Sequence, residues 1–157
     1  VMDGSKKYNS VDNFILSCYS KYQVSELVYK TKNKYDYVLF TRPDCCYPYP
    51  FEIKYFNSVC DNTICIPNFH LAGYVNNINL KFNDRFSICN NKNYRILAEL
   101  YLHLYKISLK QKLHSETIIS NYLTKNNIKW NLIDFIFYRV RLSGKICKYD
   151  KNLVLKL

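Results

Sequence analysis

The chain has 157 residues, of which 48% are hydrophobic, with only three glycines and four prolines. That is enough for one core in one domain, and it leaves little room for a linker, a collagen-like repeat or a long disordered tail. A formal net charge of +11 favours an anionic partner such as nucleic acid, a phosphorylated donor or an acidic membrane surface, yet the Lys and Arg residues are spread without a basic run that marks a nucleic-acid arm, and no apolar stretch is long enough for a membrane span.

The polar start VMDGSKKYNS is no signal peptide. The chain opens on Val1 rather than on a methionine, which fits either a natural protein that starts upstream or a chain that has been cut. From Asp12 to about Lys30 the pattern is helical, with Asp12 as a cap and Ile15, Cys18, Tyr19 and Tyr22 recurring on one face. Lys30 to Lys34 links it to YDYVLFTRPD, residues 35 to 44. In that segment Val38, Leu39 and Phe40 suit the interior of a sheet, and Pro43 ends the strand because it has no N–H for the ladder. Arg42 and Asp44 then emerge at the carboxyl end of a strand, where open α/β sheets bind ligands; they fit either a diphosphate with a divalent metal or a surface ion pair capping the strand.

CCYPYP, residues 45 to 50, reads as an extended loop because of its two prolines. Phe51 to Phe56 is a candidate edge strand, and Thr63 to Ile66 is another strand, stopped by Pro67. The asparagine-rich stretch Asn68 to Asn83 reads as a long functional loop. Asp84 to Cys89 then reads as a buried strand.

Asn91 to about Ser108 is the strongest helix, with an apolar stripe of Leu97, Leu100, Tyr101, Leu104 and Tyr105. A second helix starts near Ser115 as its cap, with Glu116 at the positive end of the dipole and Ile118, Ile119, Tyr122 and Leu123 facing inward. Trp130 to Arg141 supplies one or two closing strands around Asp134, and Asn152 to Leu157 is too short to classify. Strands interspersed with helices indicate an α/β domain with a mixed sheet flanked by helices. The strand, tight turn and helix that usually open a nucleotide-binding half do not precede Asp12. Seven cysteines, at 18, 45, 46, 60, 65, 89 and 147, lack any C-x-x-C pair. They read as free thiols in a reducing compartment, the cytoplasm, rather than as a zinc site.

A helix carrying LSCYSKYQVSELV, followed in order by YDYVLFTRPD, IPNFHLAGYVNNINLKFNDRFSICN, LHSETIISNYL and IDFIFYRVR, resembles a group of GT-A-like glycosyltransferases found in large DNA viruses and in bacterial capsule and lipopolysaccharide gene clusters. The resemblance spans roughly residues 11 to 141 and matches the C-terminal two-thirds of such a Rossmann-like domain. It implies a nucleotide-sugar donor, a saccharide acceptor, and a manganese or magnesium ion that bridges the diphosphate to an acidic motif. Asp44 matches the final acidic position of that motif, while Thr41 and Arg42 stand where a two-aspartate version puts its first carboxylate. Arg42 can itself neutralise a diphosphate. Asp84 is the first candidate for the base that takes the acceptor's proton, and Glu116 the second. The plainer roles are a turn aspartate for Asp84 and a dipole residue for Glu116.

His114 matches the late histidine that sometimes completes the metal site; its plainer role is helix capping. His70, in the long loop, and His103, within a helix, have weaker claims. Tyr74, Asn76 and Asn77 are candidates to hold sugar hydroxyls. The family's first nucleotide-binding unit is missing from residues 1 to 157, which fits a fragment of a longer enzyme, an inactive remnant, or a protein completed by a partner. The rival functions are a non-catalytic glycan-binding or virion-associated protein of similar fold, and a basic nucleic-acid binder.

Overall fold

A computed structural model of the chain describes residues 9–75 and 78–154. Its elements, in order, are α1 (Asn9–Lys30), β1 (Tyr37–Phe40), β2 (Cys45–Cys46), a 3-10 helix (Ile53–Ser58), β3 (Thr63–Pro67), β4 (Ala72–Val75), β5 (Ile78–Phe82), β6 (Ser87–Asn90), α2 (Asn93–Ser108), α3 (Ser115–Lys125), β7 (Lys129–Ile133), β8 (Tyr138–Arg139), a 3-10 turn (Lys148–Asp150) and α4 (Lys151–Val154). The central sheet is four-stranded in the order β1-β6-β3-β7; β2 and β8 pair separately, as do β4 and β5. The α/β class with a mixed sheet flanked by helices holds: β6 runs antiparallel to β1 and β3, while β3 and β7 are parallel.

Alternation along the strands divides the core into two clusters. Ile64 and Ile66 of β3 and Cys89 of β6 join Phe14 and Cys18 of α1, Leu97, Leu100 and Leu104 of α2, and Ile118, Ile119 and Leu123 of α3. The intervening Cys65 and Ile88 point to the other face, against Tyr55, Phe86, Ile133, Phe135 and Phe137. That second layer is aromatic: Phe69 meets Phe137 edge-on with centroids 4.9 Å apart, and Tyr47 stacks on Phe135 at 5.6 Å. All seven cysteines are free. Burial pushes the Cys65 and Cys89 thiols up to about 12, which fits small apolar fillers rather than reactive groups.

Several expectations need correcting. The strand β1 lies at the sheet edge, not its interior: Val38 and Phe40 face the helical cluster, but Tyr37 and Leu39 are exposed. Asp12 lies in the first turn of α1, which begins at Asn9, so it is not the cap. The inward face of α1 is carried by Val11, Phe14 and Cys18, with Tyr19 and Tyr22 at its rim against Tyr101, at centroid separations of 5.2 and 5.8 Å. Phe51 to Phe56 is no strand. Residues 53–58 coil into a 3-10 helix because Phe51, Tyr55 and Phe56 can then pack together on the aromatic layer, and Tyr55 Oη donates to the Asp134 carbonyl at 2.8 Å.

The presumed loop between Asn68 and Asn83 contains the antiparallel pair β4 and β5. Its polar asparagines hid the strands, whose anchor is the buried Phe82, set edge-on to Trp130 at 5.3 Å. Tyr105 is exposed, so the inward stripe of α2 runs through Leu97, Leu100 and Leu104. Strand β6 starts at Ser87, leaving residues 84–86 as the approach to it.

Helix ends are set by side chains and by left-handed residues. The Asn90 side-chain oxygen accepts the N–H groups of Lys92 and Asn93 at 3.0 and 2.8 Å, opening α2. At the end of α3, Asn127 takes φ 58°, while Asn127 N–H bonds the Thr124 carbonyl and Ile128 N–H the Leu123 carbonyl, at 3.0 and 2.9 Å. This double closure turns the chain directly into β7.

Candidate functional site

The turn after β1 closes on itself. Arg42 Nε and Nη2 donate to Asp44 Oδ1 and Oδ2, each at 2.8 Å, with the two side chains 39% and 30% exposed. The bond to Asp44 pushes the Arg42 guanidinium further up, and the same bond holds the Asp44 carboxyl below the usual carboxylate range. The strand-capping ion pair is therefore present, and it also forms part of the wall of a larger feature.

That feature is a cleft of about 870 Å³, lined among others by Lys21, Arg42, Asp44, Asp84, Arg85, Ser115, Arg139 and Arg141. Strand directions explain how these residues meet. Phe40, the last residue of β1, pairs with Ser87, the first of β6, so the Arg42 turn and the Asp84–Arg85 segment fall at one end of the sheet. Cys45 pairs with Arg139, which brings Arg139 of β8, with Arg141 two residues further on, to the same place. With β6 antiparallel to β1 and β3, and β7 parallel to β3, the cleft lies at the carboxyl ends of β1, β3 and β7. A second, shallower depression at the opposite end, about 360 Å³, includes Asp36, Asp61 and Asn90 and has no Lys or Arg among the described residues that line it.

Asp84 is not the turn aspartate. Its neighbour Asn83, fully buried, does that work: its side-chain oxygen accepts Arg85 N–H at 2.9 Å and its Nδ2 donates to the Phe69 carbonyl at 2.6 Å. The Asp84 backbone carbonyl accepts Lys21 Nζ at 3.4 Å. Its carboxylate forms no hydrogen bond or ion pair among the described residues, and it sits in the cleft beside cations. A half-buried carboxylate with open lone pairs can accept a proton or hold a ligand hydroxyl.

Sequence reasoning passed over Arg85, Arg139 and Arg141. A signal existed: Arg139 and Arg141 stand two apart in an extended segment, which puts them on one side, and Arg85 follows Asp84 directly. Arg85 and Arg139 are tethered to the buried Asp150. Arg139 donates from its backbone N and from Nε to Oδ2, both at 2.9 Å, and from Nη2 to Oδ1 at 3.0 Å; Arg85 Nη1 reaches Oδ1 at 3.3 Å. His70 Nε2 lies 3.3 Å from Oδ1, so its place is beneath the cleft rather than on a free loop, and it holds φ 46°. Burial pushes the Asp150 carboxyl up, but the Arg139 side-chain and backbone hydrogen bonds and the charges of Arg139 and Arg85 outweigh it and hold it at about 2. Burial, with the nearby Arg85 charge, lowers the His70 imidazole below its ordinary value.

The LHSE segment reaches the cleft through Ser115. Its hydroxyl donates to Glu116 Oε2 at 2.6 Å, and Glu116 is not among the lining residues. Ser115 is not the cap of α3, since His114 holds the capping position with extended backbone. His114 Nδ1 is 3.0 Å from Thr117 Oγ1, and its Nε2 is 3.6 Å from Glu116 Oε2. Both Asp44 oxygens are engaged by Arg42, and no group of three or more His, Cys, Asp or Glu that could hold a metal ion forms among the described residues. Asp44 lines the cleft, whereas His114 is not among its lining residues. His103 is exposed and lies against Tyr122, ring centroids 5.4 Å apart. Asn76, Asn77 and the side chain of Tyr74 lie outside the described residues.

No described helix is long and apolar enough to cross a membrane. Fold and site together define an α/β protein with a guanidinium-rich cleft at the carboxyl ends of its sheet strands. Comparison with protein-family models, curated proteins and solved structures finds no match for the chain.

Proposed function

We propose that the protein is a glycosyltransferase, or the part of one, in which this cleft receives the diphosphate of a nucleotide-sugar donor and Asp84 serves the acceptor. One observation carries the reading: TRPD, NDRF, HSE and RVR, widely separated in sequence, each place a residue on the same cleft wall. Lys21, Arg42, Arg85, Arg139 and Arg141 outnumber Asp44 and Asp84 there, which suits a ligand with more than one negative charge. In the chemistry that Asp84 suits, an acceptor hydroxyl gives its proton to the carboxylate as its oxygen bonds the anomeric carbon. The bond from that carbon to the diphosphate oxygen breaks, and the arginines take up the charge that develops on the departing diphosphate. Guanidinium groups supply this neutralisation without a step routed through a metal ion.

The test is release of nucleoside diphosphate from a panel of nucleotide sugars with mixed saccharide acceptors, run with manganese and with chelator. Turnover that Asp84→Asn removes supports the reading. Glycan binding with no donor binding or turnover contradicts it and favours the non-catalytic glycan-binding alternative.

A further inference from the structure

Asp150 lies beyond the segment that carries the four motifs, yet it makes the densest set of polar contacts near the cleft. Its side chain is 1% exposed and receives Arg139 through three N–H groups, Arg85 through one, and the His70 ring. Arg85 and Arg139 are largely buried cleft residues of like charge, which repel each other and pay a rotamer-entropy cost to stand in one geometry. A carboxylate between them removes both problems. It offsets one charge while leaving Arg85 Nε and Nη2 and Arg139 Nη1 without hydrogen bonds among the described residues.

We infer that Asp150 is a positioning residue: by gripping Arg85 and Arg139 from beneath, it sets their remaining N–H groups for the phosphate oxygens of a ligand. The inference rests on the cleft being a diphosphate site, and it assigns the chain's last described turn to that site. Preorganised donors bind a charged group without first having to be ordered, so the effect of Asp150 on affinity passes through the arginines and not through contact with the ligand.

The full chain carrying ¹⁵N-arginine tests this in two measurements. Without ligand, the Arg139 Nε–Hε proton exchanges slowly in the wild type and quickly in Asp150→Asn, while the backbone spectrum shows the fold retained. With inorganic pyrophosphate, Asp150→Asn and Arg139→Lys each bind at least tenfold more weakly, and the double variant loses no more than the worse single one. Arg139→Lys keeps the charge but not the fork, and it decides the matter should Asp150→Asn fail to fold. Rapid Arg139 Nε–Hε exchange in the wild type, wild-type affinity in Arg139→Lys, or additive losses in the double variant overturn the inference. If the wild type shows no pyrophosphate binding, the diphosphate reading falls with it, and the exchange measurement alone judges whether Asp150 positions Arg139.

Discussion

Arg42 and Asp44 face each other through a planar fork, with both carboxylate oxygens bonded at 2.8 Å to one guanidinium. The fork leaves Arg42 Nη1 as its uncommitted nitrogen among the described residues and fixes the plane in which it can meet a ligand. Arg42→Ala is expected to weaken pyrophosphate binding at least tenfold, because a hydrogen bond to a charged group contributes about 1.5–3 kcal/mol. Stability falls by only about 1 kcal/mol or less, since the pair is partly exposed. Calorimetric titration and urea unfolding separate the two effects.

Asp84 and Asn83 are adjacent but differ in role. Asp84→Asn is expected to keep stability within about 0.5 kcal/mol of the wild type, because among the described residues the carboxylate has no bonded partner to lose. Turnover drops by about 10²- to 10⁴-fold if Asp84 is the base. Asn83→Ala leaves the Phe69 carbonyl and the Arg85 N–H without their partner and costs about 1–3 kcal/mol. Thermal unfolding and donor turnover on both variants check the contrast.

Asp150 links stability to pH. Its carboxyl sits at about 2 in the folded chain and near 3.8 otherwise. A carboxyl lowered on folding stabilises the protein above its unfolded pKa and loses that contribution as pH falls through the folded value. The contribution is about 2 kcal/mol at neutral pH and fades between roughly pH 4 and 2. Asp150→Asn is therefore less stable than the wild type at pH 7, by more than the linkage alone because two arginines lose their partner, and the gap narrows in acid. Urea midpoints at pH 7, 4 and 2 measure it.

The aromatic layer that supports β8 makes a further prediction. Phe137 is fully buried among Phe69, Phe86, Phe135 and Tyr47, so Phe137→Ala costs about 3–5 kcal/mol. Leu142 is fully exposed, and Leu142→Ala changes stability by less than about 0.5 kcal/mol. Denaturant melts of both variants provide the check.

The helices were legible because Leu97, Leu100 and Leu104, and Ile118, Ile119 and Leu123, repeat at helical spacing. Strand β3 was legible from its β-branched run. The 3-10 helix at residues 53–58 was not, because the alternating apolar residues Phe51, Ile53 and Tyr55 serve an edge strand and a tight coil equally until the aromatic partners from residues 86, 135 and 137 arrive. At the site, Arg42, Asp44 and Asp84 could be singled out from short motifs. Their meeting depends on the antiparallel pairing of β1 with β6, and the capture of Arg85 and Arg139 depends on Asp150 from the far end of the chain; neither relationship is local in sequence.

The most direct test is a ¹H–¹⁵N NMR titration of the full chain with uridine diphosphate. A nucleotide-sugar cleft predicts saturable shifts at residues 41–45, 84–85 and 139–141, weakening as salt rises, with residues 36–37, 60–61 and 90–91 at the opposite end of the sheet unmoved. Saturable shifts confined to that opposite end, or none at any residue up to millimolar ligand, contradict the account.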